Sequence, residues 1–446
     1  MRVSWVLVLG LVLSLGSAYA APRAMQTVIV APVPTPMVHA NPGLTRADRA
    51  GNLMAEAKAA QAGILADLQP LTLGADPEVA EVHPLWLVNR IVVTASQDVI
   101  NRLAKRRDVE SVRLPKKIQL IAAVATGNDQ APKFGQYTYG LKNLHVPEAW
   151  EKFHVDGTGI VVGHIDTGVC SIHPDLLGKI IKFKDFHGHD HPTGFDGNGH
   201  GTHTAGTIAG GNASGKHIGV APGVKLICGR IFNEGGATTD AIVLRAMNWI
   251  ADPDGDPSTN DAPRLVSNSW GGEQDSETSG GDLWNAVQHW VDLGILPVFA
   301  AGNSGPKGKV GTPGGFPMSF CVGSTNWMNW VSSFSSRGPV KWDGVEYLKP
   351  DVAAPGSGIE SAKDKGGYVT MDGTSMATPH VAGVCALVLQ ANPALTPKQV
   401  VDIIRTTAKD ISTAGHDNNT GWGLVDAYKA VEKAKALKDQ GVTANE

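Results

Sequence analysis

The chain is poor in cysteine, with only Cys170, Cys228, Cys321 and Cys385 among 446 residues. An exported chain could pair four cysteines in three ways. Each of these lies in or beside an apolar run, where cysteine packs as a small core residue, so buried free thiols are expected. Excess charge is also missing. A net charge of -4 offers nothing to nucleic acid or to an anionic membrane surface, and neither is expected as a partner. Long apolar runs are absent beyond the first twenty residues, which leaves no other candidate for a transmembrane segment.

What is present is 42% apolar and 18% charged residues, a globular balance in a chain long enough for more than one domain. The 53 glycines imply many tight turns. Residues 1–20 open with Arg2, continue through the apolar run Trp5–Leu15 and close on Ala18-Tyr19-Ala20. That pattern predicts a cleaved secretory signal peptide, and hence a secreted, extracellular protein. The apolar run is too short to span a membrane comfortably, and no cysteine marks a lipid anchor at the cleavage point.

Residues 21–44 read as an irregular lead, rich in Pro and Ala. Thr45 and Asp48 form a capping box for a helix to about Gln69. Trp86–Thr94 reads as a strand, Ser96 caps a second helix, and Val109–Leu120 reads as a strand broken or edged by Pro115. This mixture predicts a small α+β unit within residues 21–125. Residues 121–140 lose all pattern and read as a linker. From Gly157 onward, strands at Gly159–Asp166, Val224–Ile231, Arg264–Ser269, Ile295–Ala300 and Ser319–Ser324 alternate with helices. Those helices are expected at Asp240–Ile250, Leu283–Leu293, Ser375–Ala391 and Thr396–Thr407. The alternation predicts an α/β unit over 126–446, a mainly parallel sheet with helices on both faces.

In such sheets reactive groups gather at the carboxyl ends of strands. Asp166 ends one strand, and His200 lies in the glycine-rich run Asp196–His203. Ser375 opens a helix whose segment Val381–Leu389 is apolar on nearly every side, with Pro379 expected in its first turn. Backbone N–H groups at a helix start favour developing negative charge. A carboxylate, an imidazole and a hydroxyl are thus available in the order Asp, His, Ser. The G-x-S-x-G turn of an α/β-hydrolase esterase is missing, because Ala377 holds its last place. The filled catalytic positions also speak against a peptide-binding pseudoenzyme.

Four motifs resemble the subtilisin family of serine proteases: Asp166-Thr167-Gly168, His200-Gly201-Thr202-His203, Ala301-Gly302-Asn303-Ser304-Gly305 and Gly373-Thr374-Ser375-Met376-Ala377. The resemblance runs from about residue 140 to 430. It implies a monomeric serine endopeptidase acting on protein or peptide substrates, with no cofactor needed for the chemistry. It makes Ser375 the nucleophile, His200 the general base and Asp166 its orienting partner, with Asn303 an oxyanion donor beside the Ser375 N–H. It implies that Ser269-Trp270-Gly271 and Gly236 pair with the substrate backbone and that Gly311 lines a pocket with room for large apolar side chains. The segment around 45–120 resembles the family's pro-domain, a temporary inhibitor later removed by self-cleavage.

Two metal readings accompany these. His187, His189 and His191 alternate near His200 and His203, a spacing open to zinc, although a solvated loop is the simpler reading. Family members often carry structural calcium, and Asp175 resembles one ligand. The segment Gly211–Gly215 departs from the usual calcium loop, with Ala213 where a ligand is expected.

Overall fold

The computed structural model describes residues 23–34, 43–74, 76–120, 135–188, 191, 193–272 and 278–441. The expected signal peptide and most of the expected linker lie outside them.

The N-terminal unit comprises β1 (Met25–Pro32), α1 (Arg46–Leu68), β2 (Val79–Leu85), β3 (Arg90–Ser96), α2 (Gln97–Leu103) and β4 (Val109–Arg113). Its antiparallel sheet has the order β2-β3-β1-β4, a split β-α-β arrangement. The capping box of Thr45 and Asp48 is formed, and Ser96 caps α2 through the Val99 N–H. Strand β1 falls where an irregular lead was expected. Its core Thr27-Val28-Ile29-Val30 is β-branched throughout and pairs with β3 and β4 on either side. Of the strand expected at Trp86–Thr94, residues 90–94 lie in β3, while 86–89 form the turn between β2 and β3, with Asn89 at φ 48°. The chain breaks after Arg113 and resumes as β5 (Lys117–Gln119), on either side of Pro115.

The larger unit runs through α3 (Tyr139–Asn143), α4 (Val146–Phe153), β6 (Val161–Asp166), β7 (Ile180–Asp185), α5 (His200–Ala209) and β8 (Lys225–Arg230). It continues through β9 (Ala237–Thr239), α6 (Asp240–Ala251), β10 (Leu265–Asn268), α7 (Asp282–Asp292), β11 (Leu296–Ala300) and β12 (Phe320–Thr325). Hairpin β13 (Val340–Trp342) and β14 (Val345–Tyr347) precedes β15 (Val352–Pro355). Hairpin β16 (Ile359–Ala362) and β17 (Tyr368–Met371) precedes α8 (Thr374–Ala391), α9 (Pro397–Thr407) and α10 (Ala427–Asp439). Seven parallel strands form a sheet of order β15-β12-β11-β10-β6-β8-β7.

Both faces of this sheet are covered, as its apolar strands require. Leu265 of β10 faces a core closed by α4, α5, α8, α9 and α10; its neighbour Val266 faces a second core closed by α6 and α7. Strand order reverses between β6 and β10, the kind of position where open sheets leave a crevice. Asp166 ends β6, Ser269 follows β10, and Asn303 lies just beyond β11. The topology therefore brings three separate stretches of chain to one edge.

Candidate active site

Helix α8 is buried along almost its whole length, so hydrophobic contact on all sides fixes its axis against the sheet. It begins at Thr374, which puts Pro379 inside the helix rather than in its first turn. The physical consequence falls on the serine. Pro379 has no N–H to offer the Ser375 carbonyl four residues earlier. That carbonyl accepts the Ser269 hydroxyl instead, at 2.8 Å. The Ser375 hydroxyl in turn donates to the Ser269 carbonyl at 3.1 Å.

His200 opens α5, and its Nδ1 lies 2.7 Å from Asp166 Oδ1. Both side chains are buried. The Asp166 carboxylate also accepts the Thr167 N–H at 2.7 Å and the Thr204 hydroxyl at 3.3 Å. Asp196 organises the turn into α5 by accepting the N–H groups of Asn198, Gly199 and Thr202 and the hydroxyls of Thr167 and Thr202. Burial by itself would lower the imidazole pKa, but the charge and hydrogen bond of Asp166, with the charge of Asp196, carry it above the usual 6.5. Burial would raise the Asp166 carboxyl, and the charge and hydrogen bond of His200 outweigh it, leaving that carboxyl below its ordinary value. His200 Nε2 has no hydrogen-bond partner among the described residues, since the Ser375 hydroxyl is turned to Ser269.

Asn303 is set by Thr374, whose N–H and hydroxyl both donate to Asn303 Oδ1, at 2.9 and 3.0 Å. The amide Nδ2 is thereby directed toward Gly373. A methyl group on Gly373 would lie 3.2 Å from Asn303 Nδ2 and 3.5 Å from the Ser375 nitrogen. The glycine leaves that space open between two N–H donors. Thr374 and Thr204 act on Asn303 and Asp166, partners distant in sequence that local pattern did not pair with them, and Asp196 shapes the turn into α5.

The cleft residues are distributed as follows. Strand β5 pairs antiparallel with β9, joining Lys117 to Thr239 and Gln119 to Ala237. The Leu120 N–H donates to the Gly236 carbonyl at 2.8 Å, and Gly236 has φ 74°. Ser269 touches Ser375 directly. The Trp270 ring is fully buried against Phe299 at 5.3 Å, so only its backbone can face a bound chain, and Gly271 is likewise buried. A Cβ on Gly311 would lie 2.3 Å from the Gly272 carbonyl oxygen. Backbone packing, with Gly272 and Thr312 bridged antiparallel, accounts for that glycine.

The histidines do not gather around a zinc position. His200 and His203 lie on α5 rather than in a loop, His187 Nε2 is bonded to the Ile231 carbonyl at 2.8 Å, and His191 stacks on Phe195. His203 Nε2 bonds the Ile359 carbonyl at 2.9 Å, and burial lowers its pKa to about 3, so it is a neutral structural group. His189 lies outside the described residues. Asp175 Oδ1 accepts the Ala213 N–H at 2.6 Å and its Oδ2 the Tyr368 hydroxyl at 2.5 Å. The four cysteines are buried and unpaired, with burial pushing the thiols of Cys228, Cys321 and Cys385 upward.

Comparison with known proteins agrees with this geometry. Residues 157–423 match the subtilase family profile. The chain is 36% identical over 385 residues to bacillopeptidase F of Bacillus subtilis, covering 79% of this chain and 26% of that protein. It is 36% identical over 310 residues to thermitase of Thermoactinomyces vulgaris, covering 69% of this chain and 99% of that protein. The match to serine protease AprX of Bacillus subtilis is 36% over 302 residues, 62% of this chain and 66% of that protein. The chain thus spans about a quarter of bacillopeptidase F and nearly all of thermitase. Family members need no cofactor for catalysis, and no described helix is long and apolar enough to cross a membrane. With this family match joined to a buried Asp166–His200 pair and to Ser375 at the start of α8, the chain belongs to the subtilase family and is a subtilisin-like serine peptidase.

Proposed function

We propose that this protein is a secreted serine endopeptidase made as a self-processing zymogen, in which residues 21–125 are a pro-domain that inhibits the enzyme before removal. The observation that carries the reading is β5. Lys117–Gln119 lies as an added antiparallel strand on β9, and Leu120 continues that ladder to Gly236. Ile118 and Leu120 turn inward and pack against the core of the larger unit, while Lys117 and Gln119 are exposed. A substrate strand docked the same way would present alternate apolar side chains to the enzyme.

In the mechanism, Ser375 Oγ rotates away from the Ser269 carbonyl and attacks the scissile carbonyl carbon. Its proton passes to His200 Nε2, while Asp166 holds Nδ1–H and stabilises the imidazolium. Asn303 Nδ2 and the Ser375 N–H donate to the oxyanion. Collapse breaks the C–N bond, and the proton moves from His200 to the leaving amine. Water, deprotonated by His200, then attacks the acyl-enzyme and releases Ser375. No metal enters these steps.

Leu120 lies on the cleft edge through Gly236, so the processing cut is expected shortly beyond it, within residues 121–134. N-terminal sequencing of the secreted protein tests this. Wild type should begin in that segment, and Ser375→Ala should retain the N-terminal unit. Normal processing of purified Ser375→Ala would sink self-cleavage. Export is tested by the same material, since a retained Met1 would refute a cleaved leader.

A further inference from the structure

We propose that the loop Asp252–Asp261, between α6 and β10, is a calcium site, and that Arg46 at the start of α1 occupies its neutral oxygens in the uncut chain. The exchange of arginine for calcium rests on the reading that the N-terminal unit is removed; the site itself does not.

One carboxylate oxygen from each of Asp252, Asp254 and Asp261 lies within 4.8 Å of the others. Acidic groups on a surface often cluster without purpose, but Asp252 is not on the surface. It is only 7% exposed, and its Oδ2 is buried with no hydrogen-bond partner among the described residues. Asp261 Oδ1 is buried and unpartnered as well, while its Oδ2 accepts Lys182 Nζ at 2.6 Å. Leaving a buried carboxylate oxygen without a donor is costly. A divalent cation among the three would remove the mutual repulsion of their carboxylates.

The second observation comes from the other unit. Arg46 Nη2 donates to the Ala251 carbonyl at 2.8 Å, and Nη1 donates to Asn260 Oδ1 at 3.0 Å. The guanidinium thus bonds two neutral oxygens flanking the acidic residues, while its charge sits close enough to Asp261 and Asp252 to be attracted by both. It behaves as a tethered cation lent by a segment that later departs. The rest of the loop is already shaped: Asp254 Oδ1 accepts the Asp256 N–H at 2.9 Å and Asp254 also accepts the Thr259 hydroxyl.

The ion follows from donor type and size. The donors are all hard oxygens, which suit calcium, magnesium or manganese. Calcium–oxygen bonds of about 2.3–2.6 Å give a shell roughly 4.6–5.2 Å across, whereas magnesium bonds of about 2.0–2.1 Å give roughly 4.2 Å. Three carboxylates with the neutral oxygens of Ala251 and Asn260 beside them suit a shell made largely of protein oxygens, which calcium accepts and magnesium, keeping several waters, does not.

The test uses the full chain carrying Ser375→Ala, so that self-processing does not intervene. After chelator treatment, calcium chloride is titrated by isothermal calorimetry, and thermal melting is followed with and without the ion. Arg46→Ala in that background should gain one calcium equivalent over its parent and a calcium-dependent rise in Tm. Arg46→Gln is the second variant should alanine disturb α1. Adding Asp252→Asn or the exposed Asp254→Asn should weaken the gained binding at least tenfold. An Arg46 variant that folds and binds no more calcium than its parent would overturn the proposal. So would a gain that survives Asp254→Asn, and equal affinity for magnesium would overturn the choice of ion. Since no processing is needed here, a failed cation site and a failed zymogen reading give separate results.

Discussion

The two sheets of this protein solve burial differently. The parallel sheet hides both faces within its own unit, so Leu265 and Val266 are covered by helices that follow from the same stretch of chain. The antiparallel sheet hides one face under α1 and α2, where Val28, Val30, Ile91 and Val93 form its own core. Its other face supplies Ile29 and Val92 to the core around α6 and α7. One unit is self-sufficient and the other borrows a wall. The proposed removal of the N-terminal unit would expose that apolar face on a small body.

Charge reinforces that borrowed contact. Arg113 bridges Asp240 at 2.7 Å and Asp282 at 2.5 Å, the first residues of α6 and α7, and Arg90 also pairs with Asp282 at 2.8 Å. Backbone groups of Lys116 and Asp240 complete the seam.

The largest expected effect breaks the contrast outright. Ser375→Ala should lower peptide hydrolysis on the order of 10⁶-fold and leave the two units covalently joined, read by kinetics and by mass. Next, Asn303→Ala or Gly373→Ala should lower kcat by ~10²–10³ while the chain still folds, because one removes an oxyanion donor and the other fills its space. Unchanged kcat in both would refute the oxyanion assignment. A smaller effect concerns the seam. Arg113→Ala should weaken retention of the cleaved N-terminal fragment by about 2 kcal/mol, the low end for a charge pair because its side chain is 31% exposed. Size-exclusion chromatography of the processed mixture measures it. The smallest is a pH shift. His200 must be neutral to accept the serine proton, and its pKa lies above 6.5. Activity should therefore fall with acid through a midpoint above 6.5, and a kcat/KM profile centred below that value would contradict the Asp166–His200 coupling.

Much of this was readable in the chain. The five strands expected in the parallel sheet were each found within about two residues, because continuous apolar runs between glycine-rich turns mark buried strands. Strands β7 and β15 were not expected: β7 carries alternating lysines, and β15 is only Val352–Pro355. The irregular lead proved to contain β1, since its pairing partners lie far along the chain at β3 and β4. The site residues were named from motifs, yet one expectation about their surroundings changed. Pro379 is interior to α8 and hands the Ser375 carbonyl to Ser269.

By itself the sequence determined which segments must be buried and which side chains carry reactive groups, because period, capping and residue type act over a few neighbours. Only the tertiary structure decided that Asp166 meets His200, that Thr374 aims Asn303, that β5 closes on β9, and that Arg46 reaches the loop beside Asp252. Those contacts join residues far apart along the chain. Their geometry depends on how whole helices and sheets pack, which no local pattern encodes.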